Sequence, residues 1–175
     1  MNEKIREYIS EEQLQKRIAE IADEINRDYE GKKVLLVCLL KGGIFFMCDL
    51  AKKLKIPTNL DFIIASSYGN GLESSGEIAI KKDLDETIMG RDVIVVEDIV
   101  DSGRTLSHVM KMLEERQPAS LKLCALLDKP DRRVADDFAI DYCGFTVPDV
   151  FIVGYGLDYA QRYRNLPYVG VLEFD

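Results

Sequence analysis

The chain has 175 residues, the size of one domain spanning residues 1–175 with a substantial core. Its 31 acidic and 23 basic residues leave a net charge of −8, which argues against general binding to nucleic acid or to an anionic membrane. No apolar stretch is long enough to cross a bilayer, the first residues show no secretory signal, and the four cysteines are scattered without CxxC spacing. We therefore expect a cytoplasmic protein whose cysteines are reduced.

Apolar periodicity predicts helices and strands in alternation. Ser10 and Gln13 form a capping-box pattern, and the apolar residues that follow recur at helical spacing until Gly31. Further helices are predicted at 44–54 and 105–115, and residues 69–76 predict a mobile loop rich in glycine and serine. Apolar or alternating runs predict strands at 34–40, 60–66, 77–81, 93–96, 121–127, 142–147 and 151–153.

The order of these elements predicts an α/β fold with a doubly wound, mainly parallel sheet. We expect the N-terminal helix and the last residues to close a small hood over the carboxyl edge of that sheet. Ligands of such sheets bind beyond the carboxyl ends of the strands. Several candidate residues follow predicted strands and should meet at that edge: Lys41, Ser67, Tyr68, residues 97–105, Lys129 and Asp158.

The most informative stretch is EDIVDSGRTL, residues 97–106, which follows the apolar run 93–96 and precedes the third predicted helix. A strand there delivers two adjacent carboxylates to a loop that holds a third carboxylate, a glycine and two hydroxyls. The N-terminus of the next helix offers unpaired N–H groups and a positive dipole end, which suit a phosphate. Carboxylates beside a phosphate need a divalent cation between them, or sugar hydroxyls as donors. The pattern indicates a sugar phosphate; the alternative is a junction whose acids only cap the helix.

This stretch resembles the phosphoribosyl-diphosphate-binding signature of the type I phosphoribosyltransferases. The resemblance to their 6-oxopurine branch, the hypoxanthine-guanine phosphoribosyltransferases, extends over segments 40–43, 67–69, 128–129, 147–149 and 154–159, and to Arg164. It implies a purine-salvage enzyme that transfers 5-phosphoribosyl from phosphoribosyl diphosphate to hypoxanthine or guanine, with Mg²⁺ as cofactor. The products would be IMP or GMP and pyrophosphate. The implied partners are these two substrates and further copies of the chain, in a homodimer or homotetramer.

Within the signature, the resemblance implies a general base and a phosphate cradle. Asp101 would handle the proton on purine N7, because it lies inside the loop nearest the base; its alternative role is to cap the helix. Glu97 and Asp98 would face the ribose diol, directly or through Mg²⁺ and water. Five consecutive residues would cradle the 5-phosphate, with a glycine that permits close backbone approach: Asp101, Ser102, Gly103, Arg104 and Thr105.

Residues nearer the C-terminus would bind the base and the pyrophosphate. Lys129 offers only donors, which favours a 6-oxo over a 6-amino purine, although a lysine at a strand end is often just solvated. Phe151 would stack on the purine and Ile152 would read its edge through backbone groups; the alternative is that both are core residues. Asp158 resembles a ligand of a second Mg²⁺ and Arg164 a pyrophosphate-binding arginine, and each could instead be a surface charge.

Two glycine-containing turns complete the expected site. Lys41 and Gly42 resemble the pyrophosphate-binding loop of the family, in which the Leu40–Lys41 peptide can be cis; the alternative is an ordinary turn. Ser67 and Tyr68 resemble the start of a lid that keeps water from the activated ribosyl centre, and the alternative is a disordered loop.

Other functions stay open at this point. One alternative is a relative that prefers xanthine. Xanthine differs from the other bases at position 2, and the sequence says little about the pocket there because backbone groups build part of it. A regulator of the same fold that binds RNA and senses nucleotides is disfavoured by the charge of −8 and by the presence of Asp101 and Lys129. An interaction module with a decayed site is disfavoured by the intact acidic residues. The helix at 44–54 could form a subunit interface or part of the core.

Overall fold

The computed structural model describes residues 2–67 and 78–174, apart from the side chain of Ser67. Tyr68 and the predicted loop 69–76 lie outside the described residues. The helices are α1 (Glu11–Asp28), α2 (Ile44–Lys53) and α3 (Arg104–Glu114), and a 3₁₀ turn covers Pro130–Arg132. The strands are β1 (Glu3–Ile9), β2 (Val34–Leu39), β3 (Thr58–Ser67), β4 (Ile78–Lys82), β5 (Asp92–Val100), β6 (Ser120–Asp128), β7 (Tyr142–Thr146), β8 (Ile152–Val153) and β9 (Val169–Phe174).

A mainly parallel sheet in the order β4-β3-β2-β5-β6-β7 forms the centre of the fold. The strands from β3 to β7 in this order run parallel to their neighbours, and β4 runs antiparallel to β3. Val96 of β5 lies opposite Cys38 of β2 and Cys124 of β6, so the carboxyl ends of these three strands lie side by side. The predicted α/β fold with a mainly parallel sheet is confirmed.

Helices cover both faces of this sheet. Since successive strand residues point to opposite sides, each central strand contributes to two cores. Cys38 and Val96 pack into a core with the buried stripes of α1 and α2. Val37 and Val95 pack into a second core with the stripe of α3. All four of these strand residues are fully buried. This double coverage explains why the central strands read as continuous apolar runs in the sequence.

The terminal segments form a second, smaller sheet in the order β1-β9-β8. β9 pairs antiparallel with β1 on one side and with β8 on the other. The hood is therefore built from the terminal strands; the expectation that the N-terminal helix forms part of it is wrong, and β1 and β9 were not predicted. Helix α1 packs its buried stripe against α2 and β7, in the core of the larger sheet.

The predicted capping box sets the start of α1. The Ser10 hydroxyl accepts a hydrogen bond from the Gln13 amide at 3.2 Å, and the Gln13 side chain accepts one from the Ser10 amide at 2.8 Å. Two N–H groups that the first turn leaves unpaired thus gain partners, which is typically worth about 1 kcal/mol to the helix. The next residues then carry the apolar stripe into the core from Leu14 onward.

Two expectations from composition can be compared with this fold. Within the described ranges, none of the helices combines the length and the apolarity that crossing a lipid bilayer requires. Cys38, Cys48, Cys124 and Cys143 are all free thiols, and Cys38 and Cys124 are buried as packing residues. The expectation of unpaired cysteines is confirmed.

Candidate active site

The loop between β5 and α3 carries the start of the signature's phosphate cradle. Gly103 has φ of 78°, and a Cβ at this position would lie 2.7 Å from the Ala135 carbonyl oxygen. The Ser102 carbonyl accepts hydrogen bonds from the amides of Val134 and Ala135 at 2.9 and 3.0 Å, which ties the loop to the segment after β6. A cavity of about 170 Å³ opens at the N-terminus of α3; it is lined by Glu97, Ile99, Val100, Asp101, Ser102, Gly103, Arg104, Thr105 and Leu106.

The two adjacent carboxylates lie at the carboxyl end of β5, within the strand. Glu97 Oε1 accepts from the Asp98 amide at 3.1 Å, and Asp98 Oδ1 accepts from the Ile99 amide at 2.8 Å. Burial, together with the neighbouring charge of Asp98, raises the pKa of the Glu97 carboxyl well above its usual value. Ionising both side chains in this confined place is therefore unfavourable unless a cation or a set of donors joins them.

The turn after β2 lies directly over this acidic pair. The Leu40–Lys41 peptide bond is cis, a point the sequence left open. A Cβ at Gly42 would lie 2.5 Å from Cγ of Asp98 and would overlap its carboxylate. The backbone of the turn can lie this close to β5 only because Gly42 has no side chain. The Lys41 ammonium group donates to the Gln161 side chain at 3.2 Å, which reaches across to the segment after β8.

That segment brings Asp158 and Arg164 to the same turn. Gly156 has φ of 103°, and a Cβ there would overlap the Gly42 carbonyl oxygen. Arg164 donates to the Gly156 carbonyl at 2.6 Å and lies 2.8 Å from Oδ1 of Asp158. The other oxygen of Asp158 accepts from the Gln161 amide at 2.8 Å. The buried Nε of Arg164 has no hydrogen-bond partner among the described residues, so one donor is available to a ligand.

A second cavity, of about 400 Å³, lies beside the first. It is lined by Ile99, Asp101, Lys129, Arg132, Asp149, Val150, Phe151, Ile152 and Leu157. Lys129 is only 7% exposed, and its ammonium group donates to the Val150 carbonyl at 2.9 Å and lies 3.9 Å from Asp149. Phe151 is 49% exposed, which is unusual for a large apolar side chain, and its ring meets that of Tyr159 edge to face at 5.6 Å. Ile152 is buried in β8.

Asp101 lies where the two cavities meet, since it lines both of them. Its Oδ1 is shielded from water and has no hydrogen-bond partner among the described residues, although Arg132 Nε lies 3.4 Å away as an ion-pair neighbour. Buried polar atoms are normally hydrogen-bonded, so an acceptor left in this state points to a ligand donor.

A wider cavity of about 530 Å³ lies elsewhere, between the last turn of α1 and residues 55–57. Its lining combines side chains of both charges at the opposite edge of the sheet, where Pro57 accepts a hydrogen bond from the first residue of β2. Volume alone therefore does not identify the site; the convergence of motif residues at the carboxyl edge does.

The carboxylates fit Mg²⁺ only as a cation shared with a ligand. No group of three or more histidine, cysteine, aspartate or glutamate side chains is arranged for a metal within residues 2–67 and 78–174. Mg²⁺ is commonly held by one or two carboxylates together with water and substrate phosphates. Glu97 and Asp98 on one side, and Asp158 on the other, offer the oxygen donors that such a shared cation needs.

The structure brings together the predicted site residues that it describes. The backbone of Ser67 ends β3 opposite Ile78 of β4, and Tyr68 lies outside the described residues. Arg132 and Arg133 both form ion pairs, Arg132 with Asp101 and Arg133 with Asp128. Arg132 also lines the cavity of about 400 Å³, together with Asp149 and Leu157, and none of these three was predicted as a site residue.

These residues carry little signal in the sequence. Arg132 lies shortly after Lys129, and this proximity is the one signal that could have indicated its role. The roles of Gln161 and of Asp149 depend on how the loops turn, which neither periodicity nor spacing reveals.

This geometry agrees with the comparison to known proteins. Residues 6–160 match the family model of the phosphoribosyl transferase domain. The chain therefore belongs to the phosphoribosyltransferase family, and the predicted resemblance is confirmed.

Two proteins and one solved structure illustrate what the chain is similar to within this family. The hypoxanthine phosphoribosyltransferase of Salmonella typhimurium is 49% identical over 172 residues, which cover 97% of this chain and 96% of that protein. The bifunctional protein TilS/HprT of Listeria monocytogenes is 53% identical over 165 residues, or 94% of this chain, but the chain spans only 25% of its length. A crystal structure of a hypoxanthine-guanine phosphoribosyltransferase from Bacillus anthracis has a TM-score of 0.90 at 47% identity, covering 96% of this chain and 99% of that one.

Proposed function

We propose that this chain is a purine-salvage enzyme that transfers the 5-phosphoribosyl group from phosphoribosyl diphosphate to hypoxanthine or guanine. The products are pyrophosphate and IMP or GMP. One observation carries the proposal: Asp101 lines both the cavity at the N-terminus of α3 and the cavity that holds Lys129. A carboxylate between a phosphate cradle and a purine-sized cavity is where a base for ribosyl transfer is needed. The Salmonella and Bacillus anthracis relatives, which match nearly the whole chain, support the same activity.

The cavity that Lys129 and Phe151 line suits a 6-oxopurine. Its volume of about 400 Å³ is enough for a bicyclic base, and the exposed ring of Phe151 offers a stacking face. Lys129 presents donors only, so it accommodates a carbonyl at position 6 and disfavours an amino group there. Backbone groups around Ile152 would read the far edge of the base. Burial of Lys129 strengthens the preference for 6-oxo over 6-amino purines, because a buried donor without an acceptor cannot be solvated by water instead.

The smaller cavity suits the 5-phosphate. Ser102, Arg104 and Thr105 line it at the start of α3, where the first N–H groups of a helix have no partner within the helix. The positive end of the helix dipole favours an anion here. Gly103 lets the loop take its left-handed turn against Ala135.

The diphosphate would lie between the turn at Lys41–Gly42 and the segment that holds Asp158 and Arg164. Lys41 would supply a cation, and Nε of Arg164, which has no hydrogen-bond partner among the described residues, would supply a donor. Glu97 and Asp98 would hold one Mg²⁺ with the ribose hydroxyls, and Asp158 would hold a second with the pyrophosphate. When bound, Mg²⁺ neutralises charge that builds up on the departing pyrophosphate.

The chemical step exchanges one bond at the ribose C1 for another. The C–O bond to pyrophosphate breaks, the sugar gains oxocarbenium character, and a purine nitrogen forms the new C–N bond. The carboxylates of Glu97 and Asp98 stabilise positive charge at the sugar. Asp101 accepts the proton from purine N7, helped by Lys129, whose hydrogen bond to the 6-oxo group makes the ring more acidic. Such a base typically contributes about 10² to 10⁴ in rate.

The wider context is part of the proposal. We take residues 1–175 as one catalytic domain acting in the cytoplasm, in a homodimer or homotetramer. Helix α2 supports the assembly only in part: Phe46, Met47 and Leu50 are core residues, whereas Phe45 is 42% exposed and could contact a second copy. Light scattering coupled to gel filtration measures the number of copies directly.

The decisive experiment is a product assay with phosphoribosyl diphosphate and Mg²⁺ that presents hypoxanthine, guanine, xanthine and adenine in parallel. We expect nucleotide from hypoxanthine and guanine and none from adenine. Asp101→Asn should lower kcat by about 10² or more, because the amide cannot accept the proton. Asp131→Asn is the matched control, since this exposed aspartate lies in the nearby 3₁₀ turn and should leave the rate unchanged.

The other outcomes each have a distinct meaning. Dominance of xanthine would keep the mechanism and change the substrate. No product from any base, with the protein folded, would reject the enzyme and make salt-dependent RNA binding the next measurement.

A further inference from the structure

Residues 158–164 join two side chains of the proposed diphosphate region through an unusual backbone. Ala160, Gln161 and Tyr163 have positive φ angles of 49°, 65° and 76°. Residues other than glycine rarely adopt this region, and it persists only where surrounding contacts hold it. Asp158 begins the segment and Arg164 ends it, so the placement of both depends on the contacts made by the residues between them.

The outer side of this segment is held from β1, which is far away in the sequence. Arg162 donates to Oε1 of Glu3 at 2.6 Å, and the Tyr163 hydroxyl donates to Oε2 of the same side chain. These donors, Tyr163 first and Arg162 next, lower the pKa of the Glu3 carboxyl. β1 is fixed in turn by its pairing with β9, where Glu3 lies opposite Phe174. One carboxylate of the hood thus holds two consecutive residues of the segment.

The inner side of the segment faces the turn at Lys41. Gln161 accepts from the Lys41 ammonium group at 3.2 Å through its side chain and donates to Asp158 at 2.8 Å through its amide. Between these contacts, Tyr159 and Arg162 exchange backbone hydrogen bonds at 3.1 and 2.9 Å, which closes the segment into a tight turn. A shift of Arg162 would therefore move Gln161 and the groups it contacts.

We infer that Glu3 is a positioning residue for the diphosphate part of the site, an inference that rests on the proposed function. It acts through Arg162 and Tyr163, which keep the segment in the conformation that brings Gln161 to Lys41. Lys129 lies in the turn after β6 and Ile152 lies on β8, both outside residues 158–164, whereas the Phe151 ring contacts Tyr159 of this segment edge to face. Loss of Glu3 should therefore weaken the binding of phosphoribosyl diphosphate more than the binding of the purine.

The test compares three variants of the full chain. Glu3→Ala removes both contacts, and Glu3→Gln keeps an acceptor for Tyr163 but loses the charge that pairs with Arg162. Glu7→Gln, an exposed glutamate on the same strand, is the matched control. We expect the KM for phosphoribosyl diphosphate to rise about tenfold in Glu3→Ala, and less in Glu3→Gln, because the binding groups lose their alignment. The KM for hypoxanthine should rise much less.

A purely structural role of Glu3 would give a different pattern. Titration calorimetry with phosphoribosyl diphosphate and Mg²⁺ should show the same weakening as the KM, while the thermal midpoint reports the stability of the hood separately. A lower midpoint with both KM values unchanged, or equal rises in both KM values, would overturn the inference. If Glu3→Ala does not fold, Tyr163→Phe removes one of the two donors and allows the same comparison.

Failure of the proposed function is visible before any variant is made. Wild-type protein that forms no nucleotide from any base rejects the enzyme, and the inference about Glu3 falls with it. Active wild-type protein with a Glu3→Ala variant of unchanged KM values rejects only the inference.

Discussion

The Asp98 carboxylate fills the space beside the Cα of Gly42, so closely that a Cβ on this glycine would lie 2.5 Å from Asp98 Cγ. Gly42 follows β2 and Asp98 lies near the end of the neighbouring β5, and these two strands pair in parallel up to Cys38 and Val96. The contact places the backbone of the Lys41–Gly42 turn against the acidic pair. Glycine is needed at this position for space, since any side chain would separate the turn from β5.

Gly42→Ala should therefore destabilise the fold and disturb the site. We expect a loss of about 1 to 3 kcal/mol in the free energy of unfolding, the usual cost of forcing extra atoms into a packed place. In an Asp98→Ala background the same substitution should cost much less, because the collision is removed. Denaturant unfolding of the four proteins of this cycle measures the coupling. Equal costs in both backgrounds would contradict the steric explanation.

The fold could be predicted where one pattern dominated. The central strands are apolar throughout because helices cover both faces, and the sequence shows this directly. β5 was predicted as 93–96 but runs from Asp92 to Val100. Its polar end pairs with β6, where Glu97 lies opposite Ala125 and Ile99 opposite Leu127. The carboxylates end the apolar run but do not end the strand. Whether a strand stops or continues at such residues depends on its pairing with the neighbouring strand.

The hood could not be predicted for a related reason. β1 is mostly exposed and charged, and its pattern of burial lacks a clear alternation. It becomes a strand by pairing with β9, at the other end of the chain. For the site, the signature residues were predicted because their order follows a motif, whereas the contacts of Glu3 and Arg132 arise from loop geometry. The roles assigned to the site residues stay predictions until the assays are done.

Tyr142 should control the ionisation of Asp28. The hydrogen bond from the Tyr142 hydroxyl is the main cause of the lowered pKa of Asp28, with Lys122 contributing as well. A carboxyl with a lowered pKa in the folded state stabilises the fold fully above its unfolded pKa of about 3.9. That contribution is lost as the pH falls through the folded value. Tyr142→Phe should raise the pKa of Asp28 toward its ordinary value and lower the free energy of unfolding at neutral pH, and this difference from wild type should shrink as the pH falls through the folded pKa.

NMR titration of the Asp28 carboxyl carbon in wild type and variant measures this change. Tyr8→Phe is the control, because Tyr8 is exposed on β1 and should leave the titration unchanged. An unchanged Asp28 curve in Tyr142→Phe would show that the hydroxyl does not set the pKa.

Cys48 should react with a thiol reagent before the other cysteines. It is exposed, whereas Cys38 and Cys124 are buried and Cys143 is partly buried. Burial, with Glu97 and Asp98 nearby, raises the pKa of Cys38 to about 12, so almost no thiolate forms there at neutral pH. Labelling with a disulfide reagent should show one fast thiol per chain, and Cys48→Ser should abolish that phase. A fast phase that survives the substitution would assign the reactivity to another cysteine.

Lys129 should decide between oxo and amino purines. Its buried ammonium group lies at the Val150 carbonyl, and in the proposed complex it would also donate to the 6-oxo group of the base. Lys129→Met keeps the length of the side chain and removes the charged donor. We expect kcat/KM for hypoxanthine to fall roughly 100-fold, the effect of a lost hydrogen bond from a charged group worth about 3 kcal/mol. The much lower activity with adenine should change far less, so the preference for oxopurines shrinks. Lys33→Met, at an exposed lysine before β2, serves as the control. An unaltered ratio of hypoxanthine to adenine activity in Lys129→Met would mean that backbone groups around Ile152, rather than this lysine, select the base.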